Sequence, residues 1–255
     1  LGSAISEGRF PGDAEATSAW IVASGSLGGY GTQVFTGSSF VLAPWGELAA
    51  QAPSLEESFL VCDIDPHSEG PLAHPLEQEV FDRPLSAWGA LSLGLSDLCE
   101  KTGNNDVAVL LDGSLDSMVV AALATDALGP TRVHALVLDD GVAPHLLSSR
   151  TLVRNLRVDA RELSAVSIDA GGDAELMRDL AEAHLAALAR EVQGIALSNA
   201  DKTALALDEG VRAVCAARVM PIGDLYPSAA IELPRLRNTN SPVITRAAQT
   251  AYEVT

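Results

Sequence analysis

Apolar and polar positions divide this chain into two stretches with different periods. Between residues 18 and 64, short apolar runs are cut by glycine and proline, the pattern of β-structure. Ala19-Trp-Ile-Val-Ala-Ser24 predicts a strand and Gly28-Gly-Tyr-Gly31 a turn. Gln33–Leu42 predicts a second extended stretch, ending in a turn at Pro44-Trp-Gly46. Glu57–Asp65 predicts a third strand, with Phe59, Val61 and Ile64 as its apolar positions. Residues 1–16 are polar and glycine-rich and predict a loose arm ahead of this β segment, which is bounded at 17–66. Residues 67–84 carry Gly70, Pro71, Pro75 and Pro84 and read as a linker.

From residue 85 to 255 the pattern changes to alternating helices and strands. Helices are predicted over 85–101, 115–128, about 149–156, 173–190, 202–218 and 228–236, and Ser241-Pro242 starts a C-terminal piece. Strands are predicted at 107–111, 133–138, 163–168 and 194–198. The helix at 173–190 carries an apolar stripe of Leu176, Leu180, Ala183, Leu185 and Leu188. Strands alternating with helices imply an α/β fold: a parallel sheet with helices on both faces, preceded by the small β segment. Ligands in such sheets bind at the carboxyl ends of the strands.

One such end draws attention. Val107-Ala-Val-Leu-Leu runs into Asp112-Gly-Ser-Leu-Asp-Ser117 and then directly into an Ala/Leu/Val helix. That layout gathers backbone N–H groups and a helix dipole at one point, which suits an anion. A plainer reading is an ordinary helix start, with Ser114 as N-cap and Asp116 complementing the dipole in the first turn.

Composition narrows the classes. Over 255 residues, 47% are hydrophobic and 20% charged, as in a globular chain with a real core. The net charge of −18 argues against nucleic acid or an anionic membrane as partner. Lys101 and Lys202 are the two lysines. Cys62, Cys99 and Cys215 are odd in number and widely spaced, with no C-x-x-C pair, so neither a disulfide framework nor a zinc site is expected; a reducing cytoplasm fits. Leu1–Glu7 lacks the basic region and apolar core of a signal peptide, and a first residue other than Met fits a processed chain or a fragment. His67 and His74 are too loosely spaced for a metal site, and His134, His145 and His184 have no partners visible in the sequence. The three tryptophans read as packing residues.

The Asp112–Ser117 loop resembles the pyrophosphate loop of the ATP-pyrophosphatase enzymes, most closely that of NAD synthetase, which reads Ser-Gly-Gly-x-Asp-Ser. Its second half is kept; its first half is altered, and Asp112 sets a negative charge where the family seats a phosphate. Gly94–Lys101 and Ala127–His134 extend the similarity. Pro221-Ile-Gly-Asp-Leu-Tyr-Pro227 and Glu232-Leu-Pro-Arg-Leu-Arg-Asn238 resemble Pro-Ile-Gly-Asp-Val-Pro-Lys and Glu-Leu-Ala-Arg-Trp-Arg-Asn of that family. Residues 15–65, through Gly28–Gly31 and Thr36–Glu47, are similar to the last strands of the nitrilase-type amidase module of glutamine-dependent members. That amidase uses a Glu-Lys-Cys triad. No lysine precedes Lys101 and the first cysteine is Cys62, so this chain alone is not expected to hydrolyse glutamine.

The resemblance implies an adenine nucleotide alpha-hydrolase-like fold over 85–255, with ATP and Mg as cofactors and deamido-NAD as substrate. It implies ligand contacts at Asp112, Gly113, Ser114, Asp116, Ser117, Lys202, Thr203 and Asp224, and a homodimer burying more than about 2,000 Å². The family's Thr-Gly-Asn-Lys-Ser-Glu loop aligns with Asn199–Ala204, which puts Ala204 where the family has a glutamate that supports magnesium. Its Asn-Leu-Gln-Ala-Arg helix aligns with Glu175–Asp179, its Gly-Gly stretch falls near Arg212–Met220, and its Pro-Lys becomes Pro227-Ser228. Three functions stay open: amidation of deamido-NAD through an adenylate, a degenerate copy kept for association or regulation, and a nucleotide-binding module without chemistry.

Overall fold

A computed structural model of the chain describes residues 5, 7–77, 83–164, 170–207, 219–240 and 244. They fall into two compact units, Leu1–Gly94 and Leu95–Thr255.

In the first unit, helix α1 (Arg9–Thr17) precedes β1 (Ile21–Ala23), β2 (Leu27–Tyr30), β3 (Gln33–Thr36), β4 (Phe40–Leu42) and β5 (Leu48–Gln51). The expected loose arm is therefore corrected from residue 9 onward. Phe10 and Ala14 lie one turn apart on α1, and Ala14 packs with Ile5, Phe40, Leu42 and Leu48, so burial of that stripe gives the helix its stability. β1, β4 and β5 form an antiparallel sheet, and β2–β3 a hairpin with Leu27 opposite Thr36. The hairpin reverses at Gly31-Thr32, so Gly28–Tyr30, expected as a turn, is strand. The third strand expected over 57–65 does not form. Phe59 is 94% exposed and Val61 74%, because alternation alone stabilises no strand without a neighbour to bond and a face to cover. Trp20 and Trp45 pack edge-on, as packing residues.

Helix α2 (Arg83–Thr102) leads into the second unit. There follow β6 (Val107–Leu111), α3 (Leu115–Leu128), β7 (Val133–Asp139), α4 (Ala143–Leu156), β8 (Asp159–Ser164), α5 (Ala174–Glu191), β9 (Ile195–Leu197), α6 (Lys202–Ala206) and α7 (Pro227–Asn240). The sheet runs β8-β7-β6-β9 and every pairing is parallel. The connections β6–α3–β7 and β7–α4–β8 step one way, and β8–α5–β9 returns past both strands. Right-handed crossovers then place α3 and α4 on one face and α5 on the other.

Packing agrees with that arrangement. Ala108, Leu136 and Ala196 of the sheet cluster with Leu185, Leu188 and Ala189 of α5. The alternate positions Val107, Val109 and Leu111 are buried toward the opposite face. There α3 is buried almost all round, from Met118 to Ala124. Strands covered on both faces read as continuous apolar runs, which is why β6 and β7 were evident in the sequence.

β8 lies at 159–164 instead of the expected 163–168; residues 165–169 are outside the described set. It is a polar edge strand, held in register by β7 from His134–Asp159 to Asp139–Ser164, with Arg150–Glu162 and Arg161–Glu191 ion pairs along it. An apolar pattern could not locate it. The expected helix over 202–218 is described only as α6, since 208–218 lie outside the described residues, as does most of Arg212–Met220.

Leu185 is fully buried between α5 and the sheet. Leu185→Ala should cost about 2–5 kcal/mol in urea unfolding. A loss under about 1 kcal/mol would mean that this face is not the core.

Candidate functional site

The strand order places β6 at a switch point: its connection leaves toward β7, while β9 arrives on its other side. The carboxyl ends of β6 and β9 therefore flank a crevice that no crossover covers. A cavity of about 770 Å³ lies there. Asp112, Ser114 and Asp116 line it from the segment after β6, Asp140 and His145 from the start of α4, and Ser198 to Asp201 with Ala204 from the segment after β9. Glu175, Met177, Arg178 and Glu182 of α5 complete the wall.

The loop at the foot of the cavity closes on itself. Ser114 is the N-cap of α3, with extended backbone, and its Oγ accepts from the Ser117 N–H at 3.2 Å. The Asp112 Oδ1 accepts from the Ser114 N–H at 3.0 Å and from the Ser114 hydroxyl at 2.6 Å. Its Oδ2 lies 3.4 Å from the Asn199 amide nitrogen. The Ser117 hydroxyl donates back to the Ser114 carbonyl at 2.9 Å. Gly113 has φ +86° and passes so close to α4 that a Cβ there would fall 2.4 Å from the Cβ of His145. Only glycine fits both the angle and the gap.

Electrostatics set the character of the site. Among the described residues, six carboxylates line the cavity, against Arg178 and His145 as basic groups. Asp201 is only 5% exposed and caps α6 by accepting from the Ala204 N–H at 2.7 Å. Asp116 is largely buried and its Oδ1 has no hydrogen-bond partner. Burial, then the charges of Asp201 and Asp112, push its carboxyl up to about 7.

The site residues expected from the sequence divide into two groups. Asp112, Ser114 and Asp116 line the cavity, Gly113 supports its wall and Ser117 is buried beneath it. Lys202, Thr203 and Asp224 are not among its lining residues. Lys202 Nζ sits 4.8 Å above the Tyr226 ring, and its N–H donates to the Leu225 carbonyl at 2.9 Å. Asp224 is exposed in the turn before α7, whose buried member is Ile222. The sequence reading left out Asp140 and His145, which stand 2.9 Å apart. Their signal was position: polar residues just past β7, whose end adjoins that of β6 in a parallel sheet.

Residues 87–204 match the sequence model of the NAD synthase family. The chain carries a NAD synthase-family domain. The glutamine-dependent NAD(+) synthetase of Rhodobacter capsulatus is 36% identical over 113 residues, 44% of this chain and 20% of that protein. That of Xylella fastidiosa strain 9a5c is 28% identical over 253 residues, 91% of this chain and 46% of that protein. The chain thus spans about half the length of relatives it matches across most of its own. The fold is shared with a glutamine-dependent NAD+ synthetase from Acinetobacter baumannii solved with ADP: TM-score 0.79, 22% identity, 94% of this chain and 50% of the other. In this NAD synthase-family domain, no group of three or more His, Cys, Asp or Glu side chains among the described residues is arranged to hold a metal ion.

Asp116 gives a pH prediction with a definite sign. Its folded pKa, about 7, lies above the ordinary value of 3.8, so the folded state holds the proton more tightly than the unfolded state. Its contribution to stability is therefore lost as pH rises from about 4 to about 7. Asp116→Asn, which removes the charge, should stabilise the domain at pH 8 by on the order of 2–4 kcal/mol, and the gain should fade toward pH 4. Melting curves of both proteins at pH 4.5 and 8 read this; a gain equal at both pH values would contradict the assignment.

Proposed function

We propose that this domain keeps the nucleotide crevice of the NAD synthase family but closes its phosphate loop with its own Asp112, so that ATP-dependent amidation of deamido-NAD is impaired at neutral pH. The pair of hydrogen bonds from Ser114 to the Asp112 carboxylate carries this reading. The N–H of a helix start and its capping hydroxyl are the donors that would otherwise meet a phosphate oxygen.

Magnesium-bound ATP does not fit the loop in this state. A carboxylate about 4 Å from a phosphate charge costs roughly 1 kcal/mol at water's dielectric and about 4 at an effective dielectric of 20. The larger figure corresponds to about a thousandfold in affinity. Asp116 and Asp201 add negative charge to the same wall, and Ala204 brings a methyl group where the resemblance places a magnesium-supporting glutamate. Lys202, aligned with the family's lysine, is turned onto Tyr226 and does not offset that charge.

What supports retained nucleotide binding is the cavity itself. At about 770 Å³ it falls in the range of small-molecule sites, and a neighbour in fold was solved with ADP. A nucleoside or its monophosphate can sit against Leu110, Leu138 and Met177 without entering the loop. The reading therefore favours a nucleotide-binding domain with weak or absent synthetase activity. Family resemblance further supports a homodimer acting in the cytoplasm, which sedimentation at micromolar concentration tests for the assembly.

Calorimetry at pH 8 with AMP, with Mg-ATP and with pyrophosphate, alongside an assay with deamido-NAD, ATP and ammonia, tests the proposal. The expected result is AMP binding, no detectable pyrophosphate binding and no turnover. Asp112→Ser with Ser114→Gly should raise pyrophosphate affinity at least tenfold while turnover stays low. Tight Mg-ATP binding with steady NAD formation by the parent chain would overturn the reading.

A further inference from the structure

If Lys202 is turned away, a phosphate-bearing ligand needs another cation in the crevice. We propose that His145 is that cation, the side chain through which this domain meets phosphate once the Asp112 carboxylate is removed or neutralised. The inference rests on the closed-loop reading above and adds to it a specific residue.

Three observations carry it. First, His145 touches the loop: the space in which a Gly113 Cβ would sit is filled by the Cβ, Cα and Cγ of His145, at 2.4–2.7 Å. Second, the ring is oriented. Its Nδ1 lies 2.9 Å from Asp140 Oδ2, and Asp140 also accepts from the Val142 N–H at 2.8 Å, which ties that carboxylate to the start of α4. A carboxylate on Nδ1 fixes the ring's direction and leaves Nε2 free to meet a ligand. Third, the other described cations are less closely tied to the loop. Lys202 is not among the lining residues, and Arg178 enters from α5 as an exposed side chain beside Glu175 and Glu182.

The charges that share the cavity with His145 bear on how an anion is held there. Asp112 faces it from the loop, Asp116 from the first turn of α3 and Asp201 from the segment after β9, all lining the same cavity. Glu175, Arg178 and Glu182 line the α5 side. As pH falls, Asp116 gains a proton near 7, so the wall loses negative charge, which favours an anion.

The probe is inorganic pyrophosphate, titrated by calorimetry at pH 6 and pH 8 into the Asp112→Ser, Ser114→Gly protein. In that background His145→Ala and His145→Gln should each lower affinity at pH 6 at least tenfold. His145→Lys should keep binding at pH 8, and Lys202→Ala should change affinity less than about twofold. A loss on Lys202→Ala or Arg178→Ala as large as that on His145→Ala overturns the assignment, as does unchanged affinity in both His145 variants; either outcome leaves the closed-loop reading standing. A background protein that still binds AMP but no pyrophosphate at either pH sinks both the closed loop and His145.

Discussion

The donors at the start of α3 can serve one anion at a time. They exist because a parallel strand turns sharply into a helix at the switch point of the sheet, where Gly113 lets the chain pass close under α4. Ser114 spends its N–H and its hydroxyl on Asp112, and its own Oγ caps the helix through Ser117. The Ser114 and Ser117 N–H groups are thus satisfied within the loop. The rest of the site is arranged around that fact: Asp116 is buried beside two other carboxylates, its carboxyl is pushed up toward neutrality, and the two basic groups of the cavity come from α4 and α5.

Scaffold and ligand chemistry rest on different residues in this domain. Ile222 in the turn before α7 and Leu233 within α7 are almost wholly inside. Such positions are kept by packing, since each fully buried Leu or Ile contributes about 1.5–3 kcal/mol whatever the site does. Polar positions facing the cavity, such as Asp112, Ser114 and Asp116, answer to a ligand instead. A sheet that forms such a crevice leaves its chemistry to the residues at the rim, so the fold alone does not fix what is bound there.

Much of the second unit was legible in the sequence. β6, α3 and β7 are long apolar elements bounded by Gly113, Gly129 and Pro130, and they lie where the pattern put them. Polar or unpartnered elements were not. β8 is set by its register on β7, and α1 by burial of Ala14 under the β-sheet, neither of which leaves a mark in local sequence. Residues 57–65 had the alternation of a strand and found no partner strand. For the site, the loop was evident because its residues are consecutive. Asp140 and His145 were not, because their link to the loop is made in space. Lys202 and Asp224 are held by contacts that no local pattern announces: Lys202 lies over the Tyr226 ring and Asp224 sits exposed in the turn before α7.

The most direct test of the account is a crystal structure of the parent chain grown at pH 8 in millimolar pyrophosphate. The closed loop predicts that no anion is bound between Gly113 and Ser117, with the Asp112 carboxylate within hydrogen-bonding distance of the Ser114 N–H. Pyrophosphate seated on those N–H groups, with Asp112 turned out of the loop, would contradict it.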